Sequence, residues 1–317
     1  MVVDLRQIQY FLSLFEEQSV TRAARRLNIV QPALSMQIAK LERDIGKPLF
    51  TRTPRRMIPT PAGEEMYRLF LPIMTEFGRA RERLMHSGDA LSGHVRLGLV
   101  PSIGQHVLPD VLERFVERHP EVTLSISEGL TDHLIEQVAG GQLDLCYTNR
   151  SDRVRPVATD VVLRERIVFV TGINDIPYPP KVSLVELTGC RFVLPTRENG
   201  MRHIVEQALE ADDGHLAPAI EVDSILTSAR LIEKSLYVSL MPESIVRGLR
   251  SRYNFALRTY ELKNKGFERQ IVCSHNLRRP MTKAAQAFHD ALASRLVAEH
   301  GLDHRKRQEE RRIADRS

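Results

Sequence analysis

Two groups of side chains in the first sixty residues have the types and spacing to read a nucleic acid. Gln31, Pro32, Ser35, Met36, Lys40 and Arg43 recur along one stretch, and Arg52, Arg55 and Arg56 follow it. A Gln amide pairs with adenine, a Ser hydroxyl bonds to a base edge or a phosphate, and Lys and Arg hold the backbone. The charge distribution agrees. Residues 1–60 hold ten Lys and Arg against five Asp and Glu, whereas residues 61–304 hold 29 against 32. The first sixty residues thus carry as much positive charge as the whole 317-residue chain, at net +5. A basic module on a slightly acidic body suggests a polyanion partner for the module alone; a merely solvated basic surface is the competing reading.

The elements that must position these residues are legible from periodicity. Leu5, Ile8, Phe11, Leu12 and Phe15 recur at helical spacing. A second helix over 21–27 turns Ala23, Ala24 and Leu27 inward, and 28–30 form a short turn. A third helix runs from about 31 to 44 and ends at Gly46. Its inward stripe is Leu34, Ile38, Leu41 and Ile45. The opposite face carries Pro32, Met36 and Arg43 with Lys40 beside them, and Gln31 and Ser35 lie at the flank of the first turns. Two helices joined by a tight turn, the second exposing polar residues, make a helix-turn-helix suited to the major groove. Residues 49–58 read as a two-stranded wing whose Arg52, Arg55 and Arg56 hold phosphates or enter a narrow minor groove.

The run Ala23-Ala24-Arg25-Arg26-Leu27, then Gln31-Pro32-Ala33-Leu34-Ser35, Gln37-Ile38, Leu41-Glu42, Gly46, Leu49-Phe50, Arg52, Arg55, Thr60 and Ala62-Gly63 resembles the winged helix-turn-helix of LysR-type transcriptional regulators. Two positions depart from that pattern. Val30 stands where the family usually has Ser or Thr, which weakens the cap of the recognition helix. Met36 stands where a polar residue is common. Two roles are open to it: contact with a thymine methyl, or an idle exposed side chain.

Thr60-Pro61 starts a further helix over 61–91. Met66, Phe70, Ile73, Phe77 and Leu84, with Ala80, repeat as a heptad seam that wants a partner helix, and Pro72 should bend it. The resemblance implies dimerisation through this linker; packing on the chain's own C-terminal domain is the alternative. Ser87-Gly88-Asp89 and Ser92-Gly93 supply a hinge.

From Val95 strands and helices alternate, which predicts an α/β domain over 94–300 with a mainly parallel sheet. It is similar to the two-lobed, periplasmic-binding-protein-like effector domain of the same family. The expected lobes are 94–165 plus 268–300, and 166–267. Ligands of open α/β sheets bind beyond the carboxyl ends of strands. Ser102, Thr148, Asn149, Thr196, Arg197 and Ser224 stand at such places. Hydroxyls and helix N-termini converging there suit an anion, with Arg197 as countercharge. In the family, positions matching Ser102, Thr148 and Thr196 line the inducer cleft. Against this, Ser102 can be a helix cap, Thr148 a strand end, and Arg197 a surface arginine.

Other chemistry lacks a signature. There is no G-x-S-x-G frame around Ser102, no phosphate loop and no dinucleotide fingerprint. His300 and His304 lie in a charged stretch that reads as a solvated helix end rather than a metal site. Cys146, Cys190 and Cys273 are scattered, as suits a reducing cytosol, and Cys146 reads as a buried small hydrophobe. No bilayer-length apolar run or secretory leader is present, so a cytoplasmic location without a membrane partner is expected, as are no cofactor, no metal and no enzymatic activity. The tail 301–317 reads as a frayed helix or disordered end. Together these features imply a regulator binding double-stranded promoter DNA with a partly palindromic operator. The resemblance adds a homodimer that assembles into a homotetramer, bends its DNA, contacts RNA polymerase and responds to a small molecule, which the cleft residues above predict to be an organic anion.

Overall fold

The computed structural model describes residues 4–53, 56–85, 91–104, 107–173, 177–210, 217–263 and 267–314, with side chains at 79, 82–85 and beyond Glu299 left out. The chain divides into two compact units, Met1–Asp89 with Gly140–Gln142, and Ala90–Ala139 with Leu143–Ser317.

In the first unit, Asp4 caps α1 (Leu5–Glu17): its carboxylate accepts the Arg6 N–H at 2.9 Å and the Gln7 side chain accepts the Asp4 N–H at 3.2 Å. Ser19 caps α2 (Val20–Arg26). Helix α3 (Gln31–Ile45) starts at Val30 without a side-chain cap and ends at Gly46, whose φ of +76° suits glycine. Strands β1 (Phe50–Arg52) and β2 (Met57–Pro59) pair antiparallel as the wing. Glu42 on α3 accepts the N–H groups of Leu49 (2.8 Å) and Phe50 (3.1 Å), which locks wing to helix. Thr60 opens α4 (Pro61–Met85): its hydroxyl accepts the Gly63 N–H and donates to the Pro48 carbonyl. Gly63 permits this approach, since a Cβ there would lie 2.3 Å from the Leu49 carbonyl oxygen. The core gathers Phe11, Leu14, Leu34, Leu41 and Leu49.

The second unit runs β3 (Gly93–Leu99), α5 (Pro101–Gly104), α6 (Leu108–Arg118), β4 (Val122–Glu128), α7 (Thr131–Ala139), β5 (Leu145–Asn149) and β6 (Val157–Gly172). It continues through β7 (Lys181–Val182), a 3-10 turn at Val185–Leu187, β8 (Arg191–Leu194), α8 (Gly200–Glu210), β9 (Ile220–Glu221) and α9 (Ile225–Lys234). Strand β10 (Tyr237–Pro242), α10 (Glu243–Tyr253), β11 (Leu257–Leu262), β12 (Glu268–Asn276) and α11 (Lys283–Ala314) complete it. The strand path is β4-β3-β5-β12-β6-β10-β8-β9, with β11 on β6 and β7 on β11. β3 is parallel to β4 and β5, whereas β12 is antiparallel to both β5 and β6. Helices cover both faces, so β3 and β5 are almost continuously buried at their centres.

Two lobes emerge because β6 serves both. Its residues 157–166 pair with β12, and 167–172 pair with β10 and β11. One core centres on Leu97, Phe115, Tyr147 and Phe288. The other lobe packs Phe169, Phe192, Val205 and Leu240 on one side and Val170, Ile232 and Leu249 on the other.

Four elements differ from the sequence expectation. β6 begins at Val157, ten residues before its apolar run 167–171, because its first half is charged and is held by ladder pairing with β12. Helices α9 and α10 were not expected at all. Helix α11 extends to Ala314 and so takes in most of the tail expected to be frayed or disordered.

Candidate DNA interface and effector cleft

On α3 the buried side is Leu34, Ile38 and Leu41, while Gln31, Pro32, Ser35, Met36, Lys40 and Arg43 are all exposed together. Met36 is 67% exposed, a high value for an apolar side chain on an ordered helix. Gln7 on α1 donates to Gln37 on α3 at 3.4 Å, which ties the recognition helix to the helix behind it. Arg52 and Arg56 are exposed on the wing, where Thr53 closes the turn with hydrogen bonds to Arg56. Arg55 lies outside the described residues. Among the described residues none pairs its charge with Lys40, Arg43, Arg52 or Arg56, whereas Arg22 and Arg26 on α2 are held by Glu17 and Glu16. These four cations stand on the exposed face of α3 and on the wing, where phosphates would complete them.

The heptad seam of α4 divides. Met66 is 5% exposed and joins the core of its own unit, and Phe70 packs against that core. Met66 is thus not available to a partner helix, because it is packed into that core. Ile73 and Phe77 are exposed, and Leu69 joins them on that face. The Leu84 side chain lies outside the described residues.

In the second unit, a cavity of about 350 Å³ opens between the lobes at the carboxyl ends of β3, β4, β5 and β8. Ser102 and Asn149 line it. Ser102 lies within α5, and its hydroxyl accepts from Arg269 Nη1 at 2.8 Å. Thr148 is fully buried outside the lining, since neighbouring strand residues face opposite ways and Asn149 takes the cleft side. Thr196 lies outside the lining too. Its N–H and hydroxyl both donate to Asp223, which also accepts from Asn199 Nδ2 at 2.9 Å. Arg197 is exposed and not part of the lining, so the expected countercharge does not face the cleft. Ser224 caps α9 through the Thr227 N–H and is likewise outside.

The arginine of the cleft is Arg269, which sequence reading missed. It stands directly opposite Glu165 across the β12–β6 ladder, and the two form a buried ion pair. Glu165 also accepts from the Ser244 hydroxyl at 2.6 Å. Ser102, Arg269, Glu165 and Ser244 thus make one polar chain from β3's end to α10. No local signal marks Arg269, because its partner lies 104 residues away. Thr131, Glu128 and Asp223 also line the cleft.

Cys146 and Cys273 sit on adjacent strands in the lobe core, and burial pushes the Cys146 thiol up to about 12 and the Cys273 thiol up as well. Since the thiolate is the nucleophile, alkylation of the native protein at pH 8 should modify neither, leaving Cys190, which is only partly buried, as the reactive thiol. Mass spectrometry after iodoacetamide treatment reads this; rapid labelling of Cys146 in folded protein would contradict it. Among the described residues no three His, Cys, Asp or Glu side chains are grouped to hold a metal, and no helix is long and apolar enough to cross a membrane.

Comparison with known proteins agrees with both units. The family described as "Bacterial regulatory helix-turn-helix protein, lysR family" matches residues 5–64, and "LysR substrate binding domain" matches 88–297. The chain is 29% identical to the nitrogen assimilation regulatory protein nac of Escherichia coli (strain K12), over 78% of this chain and 81% of that protein. It is 31% identical to the HTH-type transcriptional regulator YnfL of the same organism, over 78% and 84%. A full-length OxyR variant from Pseudomonas aeruginosa has the same fold, with a TM-score of 0.76 at 20% identity over 92% of this chain and 95% of that one. CbnR, a LysR family transcriptional regulator, follows with a TM-score of 0.64 at 18% identity over 92% and 99%. With a winged helix-turn-helix at one end and an α/β effector domain at the other, the chain belongs to the LysR family of transcriptional regulators rather than to any enzyme class.

Proposed function

We propose that this regulator binds a partly palindromic promoter site as a dimer and changes its grip on DNA when a small organic molecule fills the interlobe cleft. The observation that carries this reading is the α3 face, where six exposed candidate contacts include cations without an ion pair among the described residues. Gln31 and Ser35 read base edges, and Met36 contacts a thymine methyl. Lys40, Arg43, Arg52 and Arg56, with Arg55, hold phosphates or the minor groove. Two copies pair through the exposed Leu69, Ile73 and Phe77 face of α4. Pairs of dimers form a tetramer, and its two arrangements differ in DNA bending and in contact with RNA polymerase. The effector acts only through unequal affinity for those arrangements. The setting is the cytoplasm. Arg197, which argued for an anionic effector, stands outside the cleft, so the effector is proposed as a small organic molecule with an apolar body.

Selection from random duplex DNA tests the reading. It should return half-sites spaced by about ten base pairs or a multiple. Gln31→Ala should cost about 1–3 kcal/mol of discrimination at one base pair. Arg52→Ala should weaken all sequences alike and reduce the salt slope by about one. Recovery of no preferred sequence by the unmodified protein would sink the proposal.

A further inference from the structure

We propose that the effector carries a cationic, hydrogen-bond-donating head, an ammonium or a close equivalent, on an apolar body. This rests on the reading of the interlobe cleft as the effector site and names the chemistry that site selects. Three observations point the same way. First, the charges on the cleft wall are unequal. Glu128 and Asp223 face it with carboxylates, and among the described residues neither makes an ion pair. Asp223 accepts only neutral donors, from Thr196 and Asn199, so its charge stands uncompensated. Second, the only cationic side chain in the described lining, Arg269, is already engaged. It is 3% exposed, paired with Glu165, and bonded to Ser102. An incoming carboxylate would have to compete with that buried partner. Third, two polar groups that are more than nine-tenths buried in the lining lack a partner among the described residues: Asn149 Oδ1 and Thr131 Oγ1. The first can only accept, and the second can accept or donate. A buried acceptor without a donor is costly, so a ligand N–H that reaches it gains that cost back.

The same place shows how closely the lobes meet. A Cβ on Gly200, which opens α8 in one lobe, would lie 2.9 Å from Thr131 Oγ1 and 3.2 Å from Asn149 Nδ2 in the other. The unpartnered pair is therefore at the seam where the lobes touch, and a ligand head bonded there is held by both. The rest of the lining includes Val100, Leu130, Met201, Ile225 and Met241, which suits an apolar body.

The test uses the full-length protein and matched probes on one skeleton: cyclohexylmethylamine, cyclohexanecarboxylate and cyclohexylmethanol. Calorimetric titration near pH 7 reads affinity. The amine should bind about tenfold or more tighter than the carboxylate, the scale of one favourable charge contact exchanged for a repulsive one. Glu128→Gln should weaken the amine by about fivefold and leave the alcohol unchanged. Thr131→Val, a near-isosteric change, should weaken amine and alcohol together. Tighter binding of the carboxylate, equal binding of all three probes, or none by any of them overturns the cationic class. Carboxylate binding lost in Met241→Trp, which fills the cleft, would overturn the class while leaving the cleft as effector site. Failure of the DNA selection above would strike the regulator reading and leave these affinities untouched.

Discussion

Arg269→Met is expected to lower the unfolding free energy of the second unit by about 3–5 kcal/mol, because it removes the buried cation that the Glu165 carboxylate faces. Both side chains are almost wholly buried, at 3% and 2% exposed, and the two residues are direct ladder partners. The lost attraction is the smaller part of the effect. The larger part is the desolvated charge left behind, together with the Ser102 hydroxyl that loses its donor. A second variant separates these contributions. Arg269→Met combined with Glu165→Leu removes both charges and should recover most of the loss, since an apolar pair of similar volume tolerates burial. Urea denaturation followed by circular dichroism measures both. A loss below about 1 kcal/mol in the single variant, or a double variant no better than the single one, would mean that the pair is effectively solvated.

Leu34→Ala is expected to cost the first unit about 2–5 kcal/mol and to abolish operator binding at 37 °C. Leu34 is fully buried on the inner side of α3, beneath the residues that would meet bases. Its loss opens a cavity between α3 and the core of Phe11, Leu14 and Leu41. A unit of under a hundred residues has little stability in reserve, so several kcal/mol is a large fraction of the whole. The second unit has cores of its own and should keep its cleft intact. The two readouts should therefore part: DNA affinity collapses in a filter or gel-shift assay, while probe binding by calorimetry stays within twofold. Wild-type operator affinity in this variant would show that α3 is not held as described.

The helix-turn-helix was legible because its information is local. Leu34, Ile38 and Leu41 at steps of four and three fix which side of α3 is inward, and the opposite face follows from 100° per residue. The wing followed from two short runs around a turn. In the second unit the alternation of strands and helices was likewise local, as in α7, which runs from Thr131 to Ala139. The start of β6 was not, since Asp160, Arg164 and Arg166 look like loop residues until β12 lies alongside. The seam of α4 was readable as a pattern but not as a partner. A heptad repeat states that a stripe will be covered, and only packing showed Met66 going to its own core while Ile73 and Phe77 stay exposed.

Residue order alone therefore determined the family, the order of the two units and the exposed face of α3, because each depends on spacing within one helix or one short motif. Which residues make the effector cleft was decided by tertiary structure. Thr148 and Asn149 are neighbours, yet strand alternation sends only Asn149 to the cleft. Arg197 sits beside a promising strand end but turns to solvent, and Arg269 arrives from the far end of the chain to take the interior position. The physical reason is the ladder register: a charge can be buried there only opposite its counter-charge, and that pairing joins residues 104 positions apart.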